Sequence, residues 1–383
     1  MKQLPILLDQ PRAWRSYLGG ALLDELHGAP KGSGMVGHFP EEWIISTTQA
    51  ANPGREALQE GLSHLVPEDE NAAPITLKSQ IEANPAAWLG AAHVAQFGAQ
   101  TGVLVKLIDS AERLTIQVHP DRQKARALFQ SDYGKTECWH ILATRAIDGQ
   151  TPCVYFGFKE GITRARWEAL FHAQDIPAML DCLHCCPVQV GDTIFIEGGV
   201  PHAIGAGCLL VEIQEPTDYT LRTERTTPSG FAVADALCHQ GLGFEAMFDC
   251  FDYTGYSEAA VREKWFLPSQ VLRSISVQEN ALNHDKIVPP NIERLLIGGD
   301  TAAAFFSMKE YLIQDTLYFK GSDAFSGLYV LEGEGYYCSA AGEVTLCAPS
   351  QYFLPAQSGD FTLTCTGDAP LRVLQFWGPA AQG

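Results

Sequence analysis

Residues 114–119 read Leu-Thr-Ile-Gln-Val-His. Apolar and polar side chains alternate along this run, which is the period-2 pattern of a β-strand. Successive side chains of a strand point to opposite faces, so Gln117 and His119 share one face while Ile116 and Val118 take the other. An amide oxygen and an imidazole nitrogen then project from one strand into one space. Adding the carboxylate of Glu137 and the imidazole of His202, which follow at a distance, gives a four-ligand set suited to zinc or a similar divalent ion. Manganese, cobalt or iron would also accept these oxygen and nitrogen donors.

The remainder predicts a mainly β chain with helical insertions. Strands are expected over 103–109, 114–118, 136–143 and 151–158, and a strand–turn–strand unit in QVGDTIFIEGGVPHAIGAG followed by LLVEIQE. Helix is expected over 80–100, broken near Asn84-Pro85, and over 121–130, 161–183 and 232–252. From about residue 268 the pattern returns to short strands at regular spacing, which suggests a second sandwich or barrel. The boundary falls near 230–265, dividing the chain into a metal-binding part (1–240) and a second β part (241–383). No His follows His284. The runs beginning at Tyr329 and Gln351 stand where a metal-binding barrel would place its ligands, so the second part reads as a structural, metal-free copy.

Composition narrows the function. The formal charge of −19 argues against nucleic acid or an anionic membrane as partner, since both need clustered Lys and Arg. It leaves room for a small anionic metabolite held by a few local cations. No run reaches the ~18 apolar residues of a membrane span, and the N-terminus lacks the form of an export signal, so a cytoplasmic chain is expected. The 11 cysteines then read as reduced thiols. Cys182-Leu-His-Cys185-Cys186 has no matching second pair and is read as structural. The sequence leaves the oligomeric state open.

The order Gln117-x-His119, Glu137, Gly191-Asp192, Gly199-x-x-His202 resembles the two-part ligand pattern of cupin (jelly-roll) barrels. LTIQVHPD, GKTECWHIL, GDTIFIEGGVPHAIGAG and LVEIQEPTDYTLR resemble, more closely, type I mannose-6-phosphate isomerases, especially the shorter bacterial forms. The likeness runs from about 100 to 225, with an echo at Trp43–Ser46. It implies two cupin-like barrels, one zinc ion on Gln117, His119, Glu137 and His202, and a sugar phosphate as the small-molecule substrate. It further implies an active-site lysine at Lys106, a second at Lys135, a catalytic arginine at Arg222 and an acid/base at Glu212. Thr115 stands where the family has serine, and keeps a hydroxyl for a phosphate. The family reaction interconverts mannose 6-phosphate and fructose 6-phosphate through a cis-enediol. After Arg222 the chain departs from the family, reading Thr-Glu-Arg-Thr-Thr-Pro-Ser-Gly, which bears on substrate choice. The alternatives are an isomerase of a different, unphosphorylated sugar, and a non-catalytic sugar-binding protein that keeps the metal.

Overall fold

A computed structural model describes residues 3–67, 69, 71–275, 291–299, 302 and 304–381. Its strands form four antiparallel-dominated sheets, with some helices covering the front sheet and Ala21–Leu26, Leu77–Ala83 and Pro85–Leu89 packing on the central core. A seven-stranded sheet runs Phe266–Leu267, Thr193–Ile196, Glu137–Thr144, Cys208–Gln214, Leu104–Asp109, Glu41–Ile44, Arg12–Ala13. In front of it lies a smaller sheet ordered Leu183–Pro187, Cys153–Lys159, His202–Ile204, Gln117–Val118, Leu221–Arg222. Behind it lies a nine-stranded sheet built mostly from residues beyond 270, and behind that a four-stranded one.

Each gap between sheets has its own apolar filling. Ile108, Trp139, Ile141, Ile194 and Leu210 of the seven-stranded sheet meet Val154, Phe156 and Ile204 of the front sheet. On the reverse face, Ile44, Val105, Leu107, Cys138, Val211 and Ile213 meet Met308, Tyr329, Phe353, Leu374 and Phe376. The alternation of strand side chains explains how one sheet fills two cores: Trp139 and Cys138 are neighbours on opposite faces. The front sheet's outer face carries Ile116, Val118, Ala203 and Leu221, covered by Trp167, Phe171, Met179 and Phe248. The rear pair of sheets encloses Ile313, Val330, Tyr337, Leu363 and Val373.

Most expected elements form, with local differences that have physical causes. The 80–100 helix breaks at Asn84 as Leu77–Ala83, Pro85–Leu89 and Ala91–Phe97, with Pro85 at a first helical position that needs no N–H. The expected 161–183 helix becomes Arg164–Ala173 and Ile176–Asp181. Gln174 ends the first in a left-handed conformation, and Asp175 caps the second through Ala178 N. In the 232–252 stretch only the single turns Asp235–His239 and Phe244–Phe248 are helical. The 114–118 strand is extended but forms ladder pairs only at Gln117–Val118, because the Glu224 carboxylate takes the Ile116 N–H at 2.6 Å. Cys182–Cys186 lies at a strand, with Cys186 buried in the front core and Cys185 exposed. In the second half FTLTC and LRVLQFW form strands Phe361–Cys365 and Leu371–Trp377; the end of the expected LRSISVQ strand lies outside the described residues. The N-terminal strand Ile6–Leu8 pairs with Ser350–Leu354, tying the chain's start into the nine-stranded sheet. Among the described residues no helix is long and apolar enough to cross a membrane.

Candidate metal centre

Two facing rows of polar side chains occupy one end of the space between the seven-stranded and front sheets. On the front sheet the register aligns His202 with Gln117 and Gln117 with Arg222 across three neighbouring strands. On the seven-stranded sheet Trp139 pairs with Glu212, Glu212 with Lys106 and Lys106 with Trp43. Residues opposite one another in a ladder share a face, so each row projects into the same gap. Glu137, two residues before Trp139, joins the second row by parity. His119 continues the face of Gln117 just past its strand.

His202 is aimed by the turn before it. Gly199 has φ +94°, a left-handed conformation favourable only to glycine, and its N–H donates to the carbonyl of His119 at 2.8 Å. A side chain at Gly198 would meet the backbone of Asp121 at 2.6 Å. The two glycines thus hold the His202 loop against the end of the His119 strand.

His119, Glu137 and His202 bring one donor atom each to within 4.8 Å of one another. The nitrogen Nε2 of His119 lies 3.3 Å from Glu137 Oε2, that of His202 3.3 Å from Glu137 Oε1, and the two Nε2 atoms 3.2 Å apart. Ligands ~2.0–2.1 Å from a tetrahedral ion stand roughly 3.3 Å from each other, so the spacing fits a divalent ion. The tautomers fit as well. His119 Nδ1 lies 2.7 Å from the Tyr219 carbonyl and His202 Nδ1 2.8 Å from the Val200 carbonyl. A carbonyl only accepts, so the proton sits on Nδ1 and each Nε2 lone pair faces the gap, the usual support for a metal-ligating imidazole. Burial and the Lys135 ammonium push His119 down to about 3, and burial lowers His202 too; both rings are neutral and ready to ligate. Glu137 is fully buried, and among the described residues only the Lys135 ammonium, 3.2 Å from Oε2, stands by as a cation, with neither oxygen accepting a well-formed hydrogen bond; a bound cation would complete the carboxylate. Burial opposes its ionisation, but the Lys135 ammonium beside it holds it well below the usual carboxylate range. The Gln117 amide stands 3.3 Å from His202 Nε2, and a half-turn of the amide brings its oxygen to that place.

The other expected residues line the same pocket. Lys135 Nζ lies 2.9 Å from His119 Nε2 and 3.2 Å from Glu137 Oε2. Lys106 Nζ donates to Glu212 Oε1 at 3.0 Å, and Trp139 Nε1 to Glu212 Oε2 at 2.9 Å. Burial, reinforced by repulsion from Glu137, raises the Glu212 pKa above the usual carboxylate value. Thr115 stands two residues before Gln117 on the same face and lines the pocket. Arg222 also lines it and donates only to the carbonyls of Thr220 and Leu237. Asp218 pairs with Arg15 and Glu224 with Arg113. The segment after Arg222 does not line the pocket; Thr223 and Glu224 instead hold the backbone of Ile116. His140 faces away, bonded to Thr193. Trp43 and Trp139 are fully buried, and Trp43 lies beneath the Lys106 ammonium at 4.9 Å.

Sequence reading missed the pocket's N-terminal wall. Arg15 binds Glu41 at 2.9 Å and Asp218 at 3.3 Å, and Tyr17 donates to Glu41 at 2.8 Å. The echo at Trp43–Ser46 was the one signal pointing there, since Glu41 shares a strand face with Trp43.

The chain is similar to known proteins in sequence and in fold. The family profile "Phosphomannose isomerase type I, catalytic domain" matches residues 59–137. That span holds Lys106, Thr115, Gln117, His119, Lys135 and Glu137 and stops before His202. Mannose-6-phosphate isomerase ManA of Bacillus subtilis is 26% identical over 267 residues, 68% of this chain and 71% of its own. Mannose-6-phosphate isomerase of Streptococcus mutans is 32% identical over 120 residues, 31% of this chain and 35% of its own. Among solved structures, the mannose 6-phosphate isomerase of Bacillus subtilis superposes with a TM-score of 0.67 at 20% identity, covering 98% of this chain and 99% of its own. A mannose 6-phosphate isomerase bound with zinc and yttrium superposes at 0.62 and 15% identity, over 98% and 100%.

Proposed function

We propose that this chain, a member of the type I phosphomannose isomerase family, interconverts mannose 6-phosphate and fructose 6-phosphate with a zinc ion on Gln117, His119, Glu137 and His202. The observation that carries the reading is the buried Glu137 carboxylate between two neutral imidazoles, beside a pocket lined by Gln117, Lys135, Glu212 and Arg222. A divalent ion held there supplies Lewis-acid polarisation of the sugar's O1 and O2.

The remaining chemistry belongs to side chains. Aldose–ketose isomerisation moves a proton between C2 and C1 through a cis-enediol. Glu212 takes the C2 proton and returns it to C1. Its raised pKa brings it nearer the working pH of a general base, and Lys106 and Trp139 fix both its oxygens. Arg222, without a carboxylate partner, stabilises the developing enediolate. Thr115, Lys106 and Lys135 bind the substrate, the two lysines as phosphate contacts or proton donors. We further read the two pairs of facing sheets as two jelly-roll barrels, the metal-binding one in 1–240 and a second in 241–383, with Ile6–Leu8, His64–Leu65 and Ile75–Thr76 reaching across into the second's sheet.

A coupled assay for mannose 6-phosphate turnover, run with chelator and then with added zinc, tests the reading. Activity lost to chelator and restored by zinc is expected. Absence of turnover in fully metal-loaded protein overturns it in favour of another sugar or a silent binder.

A further inference from the structure

We propose that the open end of the rear sheet pair is a second small-molecule site, selective for a sugar phosphate or similar polyhydroxy anion. The interior between these sheets is apolar at one end, around Ile313, Val330, Leu371 and Val373. At the other end the same inner face turns polar. Glu293 pairs in register with Tyr311, Lys309 with Gln375, and Gln375 with Leu328 beside Ser326. Glu293, Ser326 and Gln375 are buried there. Buried polar side chains cost folding energy unless they are satisfied, and here they line a cavity of about 220 Å³.

Its chemistry is that of an anion site. Glu293 is shared by Lys309 at 2.8 Å and by Arg273, so two cations meet one carboxylate. Lys320 adds a third cation at the exposed rim. Arg273, Lys309 and Lys320 against Glu293 in the lining and Asp360 at the rim, which accepts from Gly321 N–H at 2.8 Å, leave a local excess of one positive charge in a chain of net charge −19, which favours small anions. Gln375 Nε2 donates to Ser326 Oγ at 3.0 Å, leaving the amide oxygen to accept from a ligand hydroxyl. Ser358 and Ser322 add hydroxyl oxygens that can accept from a ligand, their protons being donated to the carbonyls of Pro355 and Ala324. Trp377 lies half-buried at the edge, with Lys309 Nζ 5.9 Å from its ring, and offers a flat apolar surface for a sugar ring. Cations for the phosphate, hydroxyl partners and an indole wall together match one ligand class. The volume suits a molecule of hexose-phosphate size and excludes a polymer.

The test is calorimetric titration of the full, metal-loaded protein with 6-phosphogluconate, a sugar phosphate that cannot undergo the aldose–ketose reaction. Lys309→Met is expected to bind one equivalent fewer than the native chain. Lys320→Ala, at an exposed position that leaves folding intact, is expected to weaken that equivalent about fivefold, the worth of one exposed ion pair. Mannose 6-phosphate turnover should stay native in both, since neither residue lies in the catalytic pocket. Titrations of both variants that match the native one overturn the proposal; Lys320→Ala decides alone if Lys309→Met does not fold. The readout is the change in bound equivalents, so it is separate from whether the front pocket isomerises mannose 6-phosphate.

Discussion

Glu41 and Glu42 are consecutive and both buried, yet they belong to different parts of the molecule. Glu41 faces the front gap, where it holds Arg15, Tyr17 and Trp43 Nε1 beside Lys106. Glu42 faces the rear, where it accepts from Tyr329 at 2.7 Å and contacts His27 at 2.6 Å. The same split runs through Glu137 and Cys138, and through Trp139 and His140. One face of the seven-stranded sheet is built for chemistry and the other for cohesion. The front gathers charges that leave donor atoms unsatisfied, as at Glu137. The rear satisfies its polar groups within the protein: Gln351 accepts from Ile45 N and donates to the carbonyls of Asp9 and Trp43.

Substitutions on the front face should abolish function while the fold survives. The largest effect is expected at His202→Ala, which removes a ligand: metal content and turnover should fall together, turnover by at least ~10³-fold, as read by elemental analysis and the coupled assay. A variant that keeps stoichiometric metal and activity would break the assignment of this face. Arg222→Ala comes next. The guanidinium touches no ligand, so metal should remain while kcat falls by ~10²–10³, the usual cost of losing one charge-stabilising donor. Metal loss in that variant would make Arg222 part of the cohesive structure instead. Glu212→Gln keeps the acceptor geometry for Trp139 but cannot take a proton, and should lower kcat by ~10²-fold or more. Near-native turnover would remove it as the base and turn attention to Lys135.

The front face was largely legible in the sequence and the rear was not, for a physical reason. Gln117, His119, Glu137 and His202 are residue types whose donor atoms mean something individually; strand parity put Gln117 and His119 on one face, and the family resemblance added Glu137 and His202. Parity likewise placed His140 away from the centre. The runs beginning at Tyr329 and Gln351, read as the ligand-like places of a metal-free second barrel, gave no sign of what these two side chains bind. Both side chains point into the gap between the two halves, where they bind Glu42 and the backbone around Ile45. Which of a strand's two faces is the inner one depends on which sheet packs behind it, and that is set by partners hundreds of residues away. Arg15 and Tyr17 were missed for a related reason: they lie outside any strand, and only the tertiary fold carries them to Glu41 and Asp218.

Tyr329→Phe tests the rear face and should give the smallest effect. It deletes one hydroxyl, and with it a short donor to a buried carboxylate, while the ring continues to fill the core behind the sheet. Glu42 keeps His27 on its other oxygen and a weak contact from Gln10 at 3.5 Å, so the carboxylate is left short of one donor and not bare. Losing a hydrogen bond to a buried charged acceptor costs about 1–3 kcal/mol. Urea unfolding should therefore show a lower midpoint at unchanged slope, with kcat and metal content as in the native chain. A drop in kcat with native stability would mean that the two faces of the sheet are coupled through Glu41 and Glu42, and that the division between chemistry and cohesion does not follow the strand's parity.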